Sequence, residues 1–120
     1  MRRDLDERLL EYSARVMKLV DSLPKSITGK RIGEQLLRSA ISVGANYEEA
    51  QAGESKADFA HKLQISLKEL RESNYWLRLI LRAALLPEKR MKDIIDESNQ
   101  LRAILSKAVS TTKKDGTELR

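Results

Sequence analysis

The chain has 120 residues, of which 41% are hydrophobic, 34% charged and 4% aromatic, with two prolines and five glycines. This length suits one domain with a core of its own, and the composition favours helices over a sandwich or barrel. The absence of cysteine excludes a disulfide framework and a thiolate metal site, while a net charge of +5, from 23 basic and 18 acidic residues interspersed, permits an anionic partner without requiring one.

Helical periodicity begins at about Asp4 and runs to Ser22, where Leu5, Leu9, Tyr12, Val16, Leu19 and Leu23 recur at spacings of four and three. Asp4 with Glu7 resembles a capping box at its start. The stretch "LPKSITGK" then breaks the pattern with Pro24 and Gly29, and Thr28 is the expected cap of the next helix.

A second helix is predicted over Lys30–Ala52, stopping at Gly53. Ser55 with Asp58 forms a second box-like start, so helices two and three are joined by a few residues and are expected to lie antiparallel. The third, Lys56–Leu86, carries the stripe Leu63, Leu67, Leu70, Asn74, Leu77 and Leu81. Pro87 opens a fourth, whose apolar face is Met91, Ile94, Ile95, Leu101, Ile104, Leu105 and Ala108. The expected architecture is therefore all-α: an up-down-up-down antiparallel four-helix bundle over residues 1–110, with "TTKKDGTELR" (111–120) as a fraying tail.

No window reads as an export signal or a membrane span: acidic residues interrupt the N-terminus, and arginines interrupt "LRLILRAALL". A cytoplasmic protein is expected.

The segment "LLRSAISVGANYEEAQAGESKADFAHKLQISLKELRESNYWLRLI" resembles the small four-helix-bundle proteins first noticed in intervening sequences of bacterial 23S ribosomal RNA genes. The resemblance rests on the order of "RSA", "GAN", Glu49, "S-x-x-D-F" and "K-E-x-x-E-x-x-Y-W-L", and it extends over nearly the whole chain. It implies a homo-oligomer with five bundles in a ring. It also implies kinship with accessory proteins of diversity-generating retroelements, which bind nucleic acid and a reverse transcriptase, and no enzymatic activity. Two positions depart from the family pattern: Ala50 stands where many members have glycine, and Glu54 where many have arginine. The second removes a positive charge from that corner.

Four features could carry function. Ser39, Val43, Asn46 and Ala50 share one face of helix two, whose small side chains let a neighbour approach closely; that neighbour is another helix of the bundle, another subunit or, less simply, a ligand. Asn74 in a leucine stripe either fixes register through a specific partner or sits at the core's edge against water. Trp76 anchors the core or an interface. Lys68, Arg71, Tyr75, Arg78 and Arg82, spaced three and four apart, form a basic stripe with an aromatic residue in it. Phosphates would meet these cations and Tyr75 would stack on an unpaired base; the bland alternative is a solvated face paired with Glu69 and Glu72.

The stripe is thus the candidate site for RNA or DNA. Arg38, Ser39, Val43, Asn46, Glu49, Glu69, Glu72, Asn74 and Trp76 are assigned to packing or to an oligomer interface. No cofactor is expected and no catalytic set is legible: His61 is the sole histidine, and no Glu-x-x-His pair is available for a di-metal bundle site. Glu48, Glu49 and Asp58 read as a solvated acidic corner rather than a cation site. The function expected is a non-catalytic, self-associating bundle that binds nucleic acid. A protein-interaction scaffold is the alternative.

Overall fold

The periodicity translates into helices whose buried positions match it closely. In the computed structural model, which describes residues 2–114, α1 spans Arg2–Asp21, α2 Ile27–Gln51, α3 Lys56–Arg82 and α4 Glu88–Lys114. No strand occurs among the described residues. All six positions of the first predicted stripe, Leu5 through Leu23, are buried, so the three-four spacing did face a core. The molecule measures 46 × 22 × 22 Å. At ~1.5 Å per residue, each of the longer helices nearly spans the long axis. α2 packs on α1 and α3, and α4 packs on α3 and closes against α1. No helix among the described residues is long and apolar enough to cross a membrane.

Several boundaries differ from expectation, each for a local reason. α1 starts at Arg2, so Asp4 lies in its first turn rather than capping it. α2 starts at Ile27, capped by Ser26 rather than Thr28: the Ser26 hydroxyl accepts from the Gly29 N–H at 3.1 Å. At the start of α3, Ser55 does accept from the Asp58 N–H, at 3.0 Å, but the Asp58 carboxylate reaches back to the Glu54 N–H instead of to Ser55. α4 continues to Lys114 with Thr112 buried, four residues into the expected tail. Residues 115–120 of that tail lie outside the described residues.

α3 ends at Arg82, four residues before the predicted Leu86. Ala84 takes a left-handed conformation with φ 54°, the Leu85 N–H donates to the Ile80 carbonyl, and the Ala84 N–H donates to that of Leu81. These bonds make a Schellman stop, which normally carries glycine at the left-handed residue. Here alanine holds it, so sequence gave no warning. Ala84→Gly is therefore expected to raise stability by about 1 kcal/mol, the cost of a Cβ in that region. Urea unfolding measures it, and a variant less stable than wild type would contradict the account.

The third stripe also drifts. Leu63, Leu67, Leu70, Asn74 and Leu77 are buried as predicted, but Ile80 is fully buried where Leu81 is only partly so. Ile80 lies about 100° round the helix from Leu81, so near its end α3 turns a different flank to the core from the one that Leu63 starts. On α4, Ile104 is exposed, while Leu101 and Leu105 are completely buried.

Candidate nucleic-acid interface

α3 has two outer flanks, and the carboxylates and cations separate between them. On one flank Glu69 and Glu72 face α2, where both pair with Arg38: Nη1 lies 3.2 Å from Glu69 Oε1, and Nη2 bonds Glu72 Oε2. Glu72 Oε2 also accepts from the Trp76 indole N–H at 3.0 Å. Trp76 is thereby held partly buried against the core, its ring edge-on to Tyr75 with centroids 5.2 Å apart. The other flank carries the predicted stripe. Lys68, Arg71, Arg78 and Arg82 are exposed, and Tyr75 keeps 50% of its surface.

None of the four cations has a carboxylate within ion-pairing distance among the described residues; the pairs seen include Arg8 with Glu97 and Arg38 with Glu69 and Glu72. Glu69 and Glu72, which the alternative reading pairs with the stripe, thus go to Arg38 instead. Like charges on one face with no local counter-ion leave a positive potential at the surface.

The stripe is positioned from beneath by a buried polar cluster. Asn74 is fully buried, which rules out the water-exposed core edge. Its amide nitrogen donates to the Ser98 hydroxyl and, at 3.0 Å, to Asn99 Oδ1 on α4. Its oxygen accepts from Arg78 Nε at 2.9 Å and lies 3.5 Å from Arg102 Nη1. Every partner belongs to its own chain, so Asn74 ties α3 to α4 and needs no second subunit. The Arg78 guanidinium, fixed at its Nε, sits 5.9 Å from the centre of the Tyr75 ring, within cation–π range.

Beside this cluster the Tyr12 hydroxyl bonds the Ser73 hydroxyl at 2.8 Å, and Ser73 donates on to the Leu70 carbonyl at 3.0 Å. Burial pushes the Tyr12 phenol up to about 12, with the Ser73 hydrogen bond pulling partly back. It stays a neutral donor across the physiological range.

The small-residue face of α2 divides. Ser39, Val43 and Ala50 are buried inside their own bundle, so they cannot be the surface that meets another subunit or a ligand. Their closeness serves packing: the Ser39 hydroxyl returns to the Gln35 carbonyl at 2.9 Å, and Ser66 of α3 donates to the Val43 carbonyl at 2.7 Å. Asn46 is half-buried and bonds the Ser42 carbonyl and hydroxyl, both at 2.9 Å. Glu49 is exposed. Besides Ile27 (82%) at the start of α2 and Ile104 (38%) on α4, the large aliphatic side chains exposed among the described residues are Leu10 (67%) and Met17 (52%), seven residues apart on one face of α1, and Ile41 (42%) on α2. Ile41 adjoins Ala40, whose carbonyl accepts from Ser13 of α1, so these three border the α1–α2 seam.

Arg102 and Lys113 of α4 join the basic side of the molecule, and reading the sequence helix by helix missed both. Each is separated from α3's cations by the loop and most of α4, so no local spacing connects them. Among the described residues no three acidic or histidine side chains converge as a metal site would require.

A helical bundle bearing an unpaired basic strip with an aromatic residue on one outer helix is the class of protein that this fold and surface define. The chain belongs to the family of 23S rRNA-intervening sequence proteins, whose family model matches residues 6–107. It is similar to a crystal structure of a protein with unknown function from the S23 ribosomal protein family of Bacteroides thetaiotaomicron, at 32% identity and a TM-score of 0.81. The match covers 88% of this chain and 97% of that one. No curated protein matches the sequence.

Proposed function

We propose that this protein is a non-catalytic, cytoplasmic nucleic-acid-binding bundle that assembles with copies of itself. The observation that carries the reading is the segregation on α3: Arg38 takes both neighbouring carboxylates, and Lys68, Arg71, Arg78 and Arg82 have no carboxylate partner among the described residues around a half-exposed Tyr75. Phosphates displace counter-ions from such a strip, and an unpaired base stacks on the tyrosine.

Fluorescence anisotropy with a labelled oligonucleotide tests it. Wild type is expected to bind at ~50 mM salt and to weaken steeply as salt rises. Replacing Arg71, Arg78 and Arg82 together with Glu is expected to lower affinity more than about tenfold and to flatten the salt dependence by roughly three phosphate contacts. A wild type that does not bind at low salt would end the reading.

In the assembled state the helices run up-down-up-down. Supporting this is the order of pairing: Arg8 meets Glu97 while Ser22 meets Arg90, and Arg38 meets Glu72 while Val43 meets Ser66. Self-association uses the exposed Leu10, Met17 and Ile41 along the α1–α2 seam, which leaves α3 free. We take the number five from the sequence resemblance described above, and light scattering is expected to return five times the 13.7 kDa of one chain. A monomer that persists at high concentration would remove the ring. The same exposed side chains support the alternative, a scaffold docking another protein, which a stoichiometric, nuclease-insensitive partner would favour.

A further inference from the structure

Where the first half of α3 lies beside the last turns of α4, the two helices leave an open groove of about 570 Å³. That volume falls within the ~300–1,000 Å³ typical of small-ligand sites. Leu67 and Val109 are buried residues that still border the groove, so with Ile65 they make an apolar floor. Lys68 and Arg71 stand on one rim and Lys113 on the other, all exposed, and no carboxylate among the described residues lines the space. Gln64, Ser106 and Ser110 add uncharged donors and acceptors along the walls.

An apolar floor under a cationic rim is complementary to a molecule with a flat, weakly polar part and an anionic part. Lys68 and Arg71 belong at once to this rim and to the stripe, so a strand lying along α3 passes the groove's mouth. We infer that the groove is a subsite for one unpaired nucleotide of that strand, with its base over Ile65, Leu67 and Val109 and its phosphate among Lys68, Arg71 and Lys113. The inference rests on the nucleic-acid reading and deepens it. A base inside a duplex is stacked on both faces and cannot enter, so the groove turns a general attraction for polyanions into a preference for single strands.

The test compares a single-stranded oligonucleotide with the same sequence as a duplex, both by anisotropy at ~50 mM salt. Wild type is expected to prefer the single strand by about tenfold, the lower range of what one stacked base contributes. Ser110→Trp fills the groove from an exposed position without changing charge. It is expected to bring single-strand affinity down to the duplex value and leave duplex affinity as it was. Lys113→Gln, on the same rim, is expected to weaken the single strand more than the duplex, and supplies a second arm should the tryptophan perturb folding. Arg82→Glu, outside the groove, is expected to weaken both forms alike.

Equal affinity for the two forms, or a preference that survives both groove variants, overturns the subsite and leaves the basic strip standing. Binding of neither form overturns the subsite and the strip together. Adenosine monophosphate carries the same chemistry without a strand and is expected to compete only weakly. Competition by it as effective as by unlabelled strand would assign the groove to free nucleotides and overturn this proposal.

Discussion

Gly29→Ala is expected to destabilise the protein by about 2–4 kcal/mol, combining an overpacked contact with a damaged helix cap. Gly29 is buried in the first turn of α2, and a Cβ built there falls 2.0 Å from the Pro24 carbonyl oxygen and 3.0 Å from its carbon. Those are backbone atoms, so no side chain can swing aside. The 24–26 turn has to move, and with it goes the Ser26 hydroxyl that receives the Gly29 N–H. Gly44 makes the opposite case on the same helix: its added Cβ meets nothing nearer than Leu9 Cβ at 3.7 Å, which is ordinary contact. Gly44→Ala is expected to stabilise by about 0.5–1 kcal/mol through helix propensity alone. Urea unfolding of the two variants side by side checks both signs, and equal effects would refute the distinction drawn between them.

The second large effect is expected at Asn74. Asn74→Ala removes the side chain that joins Ser98 and Asn99 of α4 to Arg78 of α3, and leaves a hole in a fully buried position. The expected loss is about 2–4 kcal/mol, since a deleted buried volume and broken buried hydrogen bonds add. Ser98 retains its bond to the Ile95 carbonyl at 2.9 Å, which limits the damage on that side. Arg78 would lose its anchor, so a double-mutant cycle with Arg78→Ala is expected to show coupling of roughly 1 kcal/mol. Additive effects would mean that Asn74 does not position the strip. An unfolding midpoint equal to wild type would mean that the polar cluster contributes nothing to the core.

The core was largely legible because burial along a helix is periodic and local. Leu5, Leu9, Tyr12, Val16, Leu19 and Leu23 each announce their inward face by distance from the next, and Met91, Ile94, Leu101 and Leu105 do the same on α4. The exposed basic stripe on α3 followed from the same arithmetic. The ends of helices are less legible: Ser26 takes the cap expected at Thr28, and Ala84 enters the left-handed region without the glycine that usually marks it.

Sequence by itself thus determined that four amphipathic helices form and which side chains turn inward, because both depend on residues within a few turns of each other. Only the tertiary structure decided that Arg38 claims Glu69 and Glu72, that Asn74 is satisfied from α4, and that Lys113 faces Lys68 and Arg71 across a groove. Those partners are separated by about thirty residues or on different helices, and how far one helix slides and rotates against another sets them. A stripe's spacing fixes which way a side chain points but not what stands opposite it.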